Sequence, residues 1–348
     1  RSTLFPYTTL FRSALASSRF NLDNTEDSKT DYKARQKDVL DRMVTEGYIT
    51  QADADKAYGE ELNLIYKSTS NGNCTSSRYP YYCEYVMGYL SKSPKLGETQ
   101  EERDAILRKG GLQIHTYLDP NAMGIVDAQL KQDYGTDNHL AAPTAVVQPG
   151  TGGVLAMGSN RDYGTGPGQT TVNLPLHATG TGSVYKMITL AAALHEGYTE
   201  SDLAFSSRCP LVDSRYDTPD GGITNSDSCS LQGGYMDYRT ATALSSNTWF
   251  SELEIKVGVE KVKEFSASVG LSAPDNITSR SLAYTLGVTE NSEVAMAAAF
   301  ATFSNGGIYC PPSPVSTFSY ADGTSPVVPD TYDPKTDSCA NADRKSVV

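Results

Sequence analysis

Hydrophobic positions in residues 14–66 recur with the period of an α-helix. One such face runs through residues 32–46, and Gly47 follows it as a typical helix end. Thr50-Gln-Ala-Asp53 has the spacing of a capping-box variant, which predicts that another helix starts there. Helical spacing returns in Tyr79 to Leu90 and in Glu101 to Lys109.

The pattern changes at Gly110-Gly111, the clearest break in composition along the chain. Apolar positions alternate over Leu112 to Leu118, which predicts a strand. Asp119-Pro120 then predicts a helix start, because Asp is a favoured N-cap and Pro a favoured first residue. Ala145 to Val147 and Val154 to Met157 predict two strands joined as a hairpin by a Gly-rich turn.

A helix is predicted within Ala178 to Leu194. The stretch that follows Lys186 is too uniformly apolar for a surface helix, which predicts that this helix is buried in the core. A polar segment bracketed by cysteines follows, from Ser206 to Tyr235. Further helices are predicted over residues 239–256, 258–269 and 291–304, and Asn305-Gly-Gly307 ends the last of them.

Composition narrows the class of protein. The chain has 348 residues, enough for one large domain and an accessory segment. Its formal net charge of -12 argues against nucleic acid as a partner, because phosphate binding needs clustered Lys and Arg. The run Gly164-x-Gly-x-Gly168 lacks the lysine and the following helix of a phosphate-binding loop. With four histidines and no Cys-x-x-Cys pair, a zinc site is not expected.

The six cysteines lie in polar, Ser-, Asn- and Gly-rich segments, which is typical of disulfides formed in an oxidising compartment. Proximity in the sequence predicts the pairs Cys74–Cys83 and Cys209–Cys229 and leaves Cys310–Cys339, with unpaired surface thiols as the alternative. The sequence has no signal peptide and no apolar run of membrane-spanning length. For an extracytoplasmic protein, we therefore expect an N-terminal segment to be missing.

Candidate chemistry lies at the start of the buried helix. Ser183 and Lys186 are one helical turn apart and project from the same face. The positive end of the helix dipole favours a developing alkoxide or oxyanion at Ser183, whose backbone N–H can supply one oxyanion donor. A lysine whose pKa is lowered by desolvation can act as the base. This spacing alone is weak evidence, because a serine-rich chain produces it by chance.

A second polar group supports the functional interpretation. Ser245-Ser246-Asn247 interrupts an apolar segment, where a helix cap or turn is the structural alternative. The patterns Ser-x-x-Lys and Ser-x-Asn each occur once in the chain, in this order, and both lie in apolar surroundings. Together they favour a site for acyl transfer through a serine nucleophile.

These motifs resemble the transpeptidase region of class A (bifunctional) penicillin-binding proteins. The resemblance covers the strand and turn at Gly111 to Pro120, the hairpin at Ala145 to Met157, the serine helix at Asn173 to Leu194, the Ser-x-Asn segment at Ala243 to Phe250, and Val294 to Gly307. Residues 14–110 resemble the linker between the glycosyltransferase and transpeptidase domains of that family.

The resemblance implies a role for four residues. Ser183 would be the acyl-forming nucleophile and Lys186 the base that activates it. Ser245 would relay a proton toward the leaving amine, and Asn247 would bind the substrate backbone and help orient Lys186. The implied activity is a peptidoglycan D,D-transpeptidase that attacks D-Ala-D-Ala termini of stem peptides and is acylated by β-lactams. No metal or organic cofactor is implied.

Two features depart from the family pattern. The third motif, Lys-Thr-Gly on an edge strand, is absent, and Lys335-Thr336-Asp337 lacks its glycine. The glycosyltransferase domain with its catalytic glutamate is absent as well. We therefore expect the chain to be truncated, with one substrate-binding edge and a second oxyanion donor missing. Residues 1–13 and 342–348 fit nothing else in the chain and are interpreted as non-native flanks.

The implied fold is α/β, of the α+β type, with a mainly antiparallel sheet flanked by helices and Ser183 at the N-terminus of a central buried helix. The predicted organisation is a flank at 1–13, a helical linker at 14–110, an incomplete transpeptidase domain at 111–341 and a tail at 342–348. The parent protein is expected to be membrane-anchored, with this region on the extracytoplasmic face of the bacterial cytoplasmic membrane.

Two alternatives share the serine and lysine pattern. A class A serine β-lactamase would need a Glu-x-x-x-Asn spacing to activate the deacylating water, and no such spacing follows Ser245. A penicillin-sensing domain would be acylated without turnover, so the lifetime of the acyl-enzyme separates it from an enzyme. No serine lies in a Gly-x-Ser-x-Gly sequence, which argues against a hydrolase with a histidine triad.

Overall fold

In a computed structural model of the chain, the described residues are 26–59, 74–136, 139–227, 229–230, 233–320 and 339. The flanks at 1–13 and 342–348 and the segment Lys335-Thr336-Asp337 lie outside them. The chain divides into two compact units, Arg1–Asn73 and Cys74–Val348. The second unit thus begins before Gly110-Gly111, and the assignment of residues 14–110 to an interdomain linker stays a prediction.

The first unit contains two helices in its described part, α1 (Glu26–Thr45) and α2 (Gln51–Gly59). Both were predicted, although α1 starts earlier than the apolar pattern indicated. Gly47 follows α1 with a φ of 75°, as a helix end requires. The capping box before α2 is confirmed: the Asp53 N–H donates to Thr50 Oγ1 at 3.2 Å, and the Thr50 N–H donates to Asp53 Oδ2 at 3.3 Å.

The second unit mixes helices with short strands. Its helices are α3 (Pro80–Lys92), α4 (Gln100–Lys109), α5 (Pro120–Tyr134), α6 (Lys186–His195), α7 (Tyr238–Ala243), α8 (Asn247–Val257), α9 (Val259–Ser268) and α10 (Glu293–Ser304). Its strands are β1 (Leu112–Thr116), β2 (Pro143–Val147), β3 (Val154–Ser159), β4 (Thr179–Gly180), β5 (Ala204–Ser207), β6 (Gly234–Asp237), β7 (Glu290–Asn291) and β8 (Val315–Tyr320).

The strands of the described residues pair in antiparallel ladders of two: β1 with β8, β2 with β3, β4 with β7, and β5 with β6. The antiparallel α/β character is as predicted, but the ladders do not merge into one continuous sheet. Ser313, which lies just before β8, links this part of the chain to β3: its N–H donates to the Gly152 carbonyl, and its carbonyl accepts from the Val154 N–H. The neighbouring prolines have no N–H with which to extend the pairing.

Two sequence-based boundaries were wrong. The strand predicted to end at Leu118 ends at Thr116, where the pairing register with β8 shifts, and Asp119 turns to cap α5 by accepting from the Asn121 N–H. The helix predicted over residues 239–256 is two helices, α7 and α8, because the backbone reverses at Ser245. The apolar period alone could not show this break, since both helices bury apolar residues.

The helix α6 is buried on most of its surface. Ile188, Ala192 and Ala193 are fully inaccessible to solvent, and small alanine side chains let the neighbouring helices approach closely. One side of α6 packs on α9, and another packs on α8 through a cluster that includes Trp249 and Phe250. The first turn of α6 is therefore held by a rigid core, which is what the uniform apolar run predicted.

The predicted disulfides Cys74–Cys83, Cys209–Cys229 and Cys310–Cys339 are all confirmed. No helix formed by the described residues has both the length and the apolar character needed to cross a membrane.

Candidate active site

Ser183 lies just before α6, not inside it. Residues Gly182–Tyr185 form one turn of 3₁₀-helix, and the α-helix begins at Lys186. The expectation that Ser183 opens the α-helix is corrected accordingly. A 3₁₀-helix has three residues per turn, so side chains at positions i and i+3 are almost eclipsed. The turn therefore aligns Ser183 with Lys186 more directly than an α-helical turn would.

A short ladder holds the backbone that leads into this turn. Strand β4 pairs with β7, so that Thr179 lies opposite Asn291. The Gly182 N–H donates to the Gly287 carbonyl at 3.3 Å. Gly287 has a φ of 75°, and a Cβ atom at this residue would collide with the backbone nitrogen and oxygen of Gly182. Glycine at position 287 is therefore required for the approach that fixes the nucleophile turn.

The Ser-x-Asn segment forms a tight corner between α7 and α8. At the end of α7, the Ser245 N–H donates to the Thr242 carbonyl and the Ser246 N–H donates to the Ala241 carbonyl, which is a Schellman motif. Ser245 takes the left-handed position of that motif, with a φ of 51°. Ser246 then caps α8 by accepting from the Trp249 N–H, and Asn247 is the first residue of α8.

The four predicted residues meet at the amine of Lys186. Its Nζ atom lies 3.1 Å from Ser183 Oγ and 3.1 Å from Ser245 Oγ, within hydrogen-bonding distance of both hydroxyls. It also donates to the Ser245 carbonyl at 2.6 Å and to Asn247 Oδ1 at 2.7 Å. The structure thus brings together all the residues that the two motifs supplied, although Asn247 is separated from Lys186 by 61 positions in the chain.

Burial sets the electrostatics of this cluster. Lys186 is only 1% exposed, whereas Ser183 and Ser245 are exposed to solvent. Desolvation lowers the pKa of Lys186 to about 8. Among the residues that the structure describes, no carboxylate forms an ion pair with Lys186 that would oppose this effect. The cluster therefore contains an accessible serine hydroxyl beside an amine that titrates close to neutral pH.

The hydrogen bonds also orient the amine. The Ser245 carbonyl and Asn247 Oδ1 carry no proton, so each of these oxygens can only accept an N–H of Lys186. A neutral amine has two N–H groups and one lone pair. With both N–H groups held by those two oxygens, the lone pair faces the hydroxyls of Ser183 and Ser245. The arrangement can therefore take a proton from one hydroxyl and pass it to the other.

Sequence reasoning missed the residues that support Asn247. The Nδ2 group of Asn247 donates to the Thr224 carbonyl at 2.9 Å. Thr224 lies in the polar, cysteine-bracketed segment, and the neighbouring Asn225 accepts from the Thr248 N–H at 3.1 Å. A backbone carbonyl leaves no signal in a sequence, so only the bracketing cysteines marked this segment as ordered. The Ser183 N–H as an oxyanion donor stays a prediction.

Comparison with known proteins places the chain in a family. The family model of the penicillin-binding protein transpeptidase domain matches residues 143–338 of the sequence. Penicillin-binding protein 2D of Bacillus subtilis (strain 168) is 25% identical over 306 residues, which are 85% of this chain and 40% of that protein. Penicillin-binding protein 1A of Streptococcus oralis is 26% identical over 311 residues, which are 82% of this chain and 44% of that protein.

The fold is also found among solved structures. The PonA1 protein from Mycobacterium tuberculosis, in complex with penicillin V, superposes with a TM-score of 0.56 at 22% identity, over 70% of this chain and 63% of that one. The chain spans less than half the length of the two relatives named above. The family model nevertheless covers more than half of the chain and contains all four clustered residues. The chain belongs to the family of penicillin-binding protein transpeptidase domains.

Proposed function

We propose that the chain is the acylating part of a peptidoglycan D,D-transpeptidase. The observation that carries this proposal is the position of the Lys186 amine, 3.1 Å from the Ser183 hydroxyl and buried so that its pKa is lowered to about 8. A serine needs an adjacent base to become a nucleophile, and Lys186 supplies one without histidine.

The reaction follows from the contacts around Lys186. The neutral amine takes the proton of the Ser183 hydroxyl while Oγ attacks the carbonyl carbon of a D-Ala-D-Ala terminus. The peptide C–N bond breaks, and the proton passes from Lys186 through the Ser245 hydroxyl to the departing D-alanine amine. An amine from a neighbouring stem peptide then attacks the ester carbonyl carbon, and the bond to Ser183 Oγ breaks. The proton lost by the amine returns to Oγ through Lys186, which regenerates the serine and leaves the new amide as the cross-link. The Asn247 amide would bind the substrate backbone beside Lys186.

β-Lactams are the second class of ligand proposed for Ser183. Their strained amide presents the same kind of carbonyl, and opening of the ring leaves an ester on the serine. Membership of the penicillin-binding family supports this part of the proposal.

We also infer an extracytoplasmic location, with a membrane anchor in the parent protein. Support comes from the three disulfides, which persist in oxidising surroundings and are rare in the reducing cytosol. Peptidoglycan, the proposed substrate, also lies outside the cytoplasmic membrane. Alkylation of free thiols in freshly lysed cells tests this location: the native cysteines should resist alkylation until a reductant is added, and ready alkylation without a reductant would contradict it.

Fluorescent penicillin tests the assignment of the nucleophile. The protein expressed from its natural reading frame should acquire a covalent label, and a Ser183→Ala variant should not. Equal labelling of the two proteins would overturn the assignment of Ser183. Mass spectrometry of the labelled peptide should find the added mass on Ser183.

The fate of the label separates the three functions that share this chemistry. Loss of the label within seconds, with hydrolysed penicillin as product, would indicate a β-lactamase. A persistent label without cross-linked product from stem peptides and an amine acceptor would indicate a sensor. A persistent label with penicillin, together with a cross-linked dimer from stem peptides, is the result expected of a transpeptidase.

A further inference from the structure

The segment between β5 and β6 is anchored to α8, the helix that begins at Asn247. We refer to the described residues of 208–233 as the excursion loop. Its stem is the β5–β6 ladder, and Trp249 of α8 packs against that stem: the indole stacks on Phe205 with ring centroids 4.6 Å apart, and its Nε1–H donates to the Met236 carbonyl. Both ends of the excursion loop are therefore held in place by this ladder.

The excursion loop also has an ordered interior. Leu211 and Ile223 exchange two backbone hydrogen bonds of 2.8 and 2.9 Å, and both side chains are buried with Leu282. On its outer side, Arg208 Nε donates to Glu252 of α8 at 2.8 Å. These contacts anchor the excursion loop to the rest of the unit at several points.

Asn225 of the excursion loop is hydrogen-bonded to both residues that flank Asn247. Its Oδ1 atom accepts from the Thr248 N–H at 3.1 Å and from the Ser246 hydroxyl at 3.3 Å. Its Nδ2 group donates to Thr248 Oγ1 at 3.1 Å. Asn225 is only 4% exposed, and Ser246 and Thr248 are fully buried. Removal of the Asn225 side chain would therefore leave the buried Thr248 N–H and the Ser246 hydroxyl without this partner, which is energetically costly.

The residue before Asn225 fixes the orientation of the Asn247 amide. The Thr224 carbonyl can only accept, so the Asn247 group that faces it must be Nδ2. This orientation places Oδ1 toward Lys186, where it holds one of the amine N–H groups at 2.7 Å. If the Thr224 carbonyl moved, the amide could rotate, and Lys186 would lose a partner that directs its lone pair.

The Cys209–Cys229 disulfide closes the excursion loop around these residues. The contact is direct, because Asn225 Nδ2 lies 3.5 Å from Cys209 Sγ. Cutting the disulfide would remove the covalent link between two residues 20 positions apart and leave Asn225 held by noncovalent contacts alone. The bond therefore limits how far Thr224 and Asn225 can move from α8.

We propose that Asn225 is a positioning residue for acylation, which acts through Asn247 on Lys186, and that the Cys209–Cys229 disulfide makes the acylation rate depend on the redox state. This inference rests on the proposed function of Ser183. Reduction adds two electrons and two protons to the disulfide and yields two thiols, while dithiothreitol is oxidised to its cyclic disulfide.

Substitution of Asn225 tests the positioning role. In Asn225→Ala, the maximal rate of acylation by fluorescent penicillin should fall at least ten-fold. In Asn225→Asp, an oxygen remains to accept from the Thr248 N–H, so the maximal rate should stay within about three-fold of the wild-type value. Asn305→Ala is the matched control, because Asn305 Nδ2 lies 3.5 Å from the sulfur of another disulfide cysteine, Cys310. Its rate should equal that of the wild type.

Reduction tests the redox dependence. Dithiothreitol should slow acylation of the wild-type protein and of a Cys74→Ser, Cys83→Ser variant by a similar factor. A Cys209→Ser, Cys229→Ser variant should already be slow and should not respond to the reductant. Equal sensitivity of this variant and the wild type would overturn the redox part of the proposal, as would unchanged rates after complete reduction.

A direct titration of Lys186 separates failure of this inference from failure of the proposed function. Trace labelling with acetic anhydride at a series of pH values, read by mass spectrometry, gives the titration midpoint of the amine whether or not penicillin reacts. The midpoint should differ between wild type and Asn225→Ala and should be unchanged in Asn305→Ala. A wild type that is never acylated contradicts the function. Equal titration and equal acylation in the wild type and Asn225→Ala contradict the positioning role.

Discussion

Lys186 shows how one residue can be both structural and reactive. Burying an ammonium group without an anionic partner is unfavourable, so the protein stabilises the neutral amine instead. The hydrogen bonds that Lys186 donates to the Ser245 carbonyl and to Asn247 Oδ1 limit this effect, because they also stabilise the charged form. The result is a pKa lowered to about 8, close enough to neutral pH for the amine to give and take protons.

The lowered pKa of Lys186 predicts the pH dependence of acylation. The neutral amine is the active base, so the acylation rate should rise with pH and reach half of its maximum near pH 8. Stopped-flow measurement with a chromogenic cephalosporin from pH 6 to 9.5 gives this profile. Lys186→Arg should be inactive throughout, because a guanidinium group stays protonated over the whole range. A rate that does not change between pH 6 and 9 would contradict the role of Lys186.

Ser245 combines a hydroxyl proposed to relay a proton with an unfavourable backbone conformation. It occupies the left-handed position of the Schellman motif, where glycine is favoured and other residues cost on the order of 1 kcal/mol. Ser245→Gly and Ser245→Ala remove the same hydroxyl, so both should slow acylation by a similar factor, on the order of 100-fold. Thermal or urea unfolding should find the glycine variant more stable than the alanine variant by about 1 kcal/mol. Equal acylation by Ser245→Gly and wild type would exclude a role for the hydroxyl.

At the scale of elements, the site is a meeting of three helix ends. The 3₁₀ turn at Gly182–Tyr185 carries the proposed nucleophile Ser183, and α6 starts with the proposed base Lys186. The corner between α7 and α8 brings Ser245 and Asn247 to Lys186. Each end is positioned by backbone hydrogen bonds and not by side-chain packing alone. Small shifts in backbone position should therefore affect the reaction more than the stability of the unit.

Substitution of Gly287 tests whether backbone position affects the reaction more than the stability. Gly287→Ala adds a Cβ atom that collides with the backbone of Gly182, so the nucleophile turn must move. Acylation should fall by on the order of 10- to 100-fold. Gly197→Ala is the matched control: Gly197 also has a positive φ, of 91°, but no atom lies within 4 Å of the added Cβ. Gly197→Ala should lose about 1 kcal/mol of stability from backbone strain, and Gly287→Ala should lose more because of the added collision, but only Gly287→Ala should lose acylation.

The sequence identified those parts of the site that depend on residue type and spacing. Ser183, Lys186, Ser245 and Asn247 were found because they form two recognisable spacings of polar residues within apolar sequence. A cap or turn at Ser245-Ser246-Asn247 was considered only as the alternative to a functional motif, and one continuous helix was predicted over residues 239–256. A serine at a left-handed position is unusual, so residue type did not indicate where the helix breaks. Thr224 was missed because it contributes a carbonyl, which every residue has.

At the scale of the whole molecule, the core contains a carboxyl group that the proposed mechanism does not use. Glu254 of α8 is fully buried, and its Oε2 atom accepts the Thr285 N–H at 3.3 Å. The Oε1 atom is buried without a hydrogen-bond partner among the described residues. The rings of Tyr185 and Tyr284 flank this region, and burial raises the pKa of both phenols. This environment favours the neutral form of a carboxyl group.

Burial accordingly raises the pKa of Glu254 well above its ordinary value of 4.5, which makes the stability of the fold depend on pH. The folded protein keeps the proton on Glu254 at pH values where the unfolded chain has lost it. The stabilising contribution is therefore complete below pH 4.5 and is lost as the pH rises toward the folded-state pKa.

In Glu254→Gln the amide is neutral at every pH. The free energy of unfolding of this variant, relative to that of the wild type, should therefore increase by up to about 1.4 kcal/mol per pH unit between pH 4.5 and the folded-state pKa of Glu254. Urea unfolding at pH 5, 6, 7 and 8 measures this difference, with the exposed Glu264→Gln on α9 as the control for removing a surface carboxyl. A difference between Glu254→Gln and wild type that stays constant over these pH values would mean that Glu254 is ionised in the folded protein.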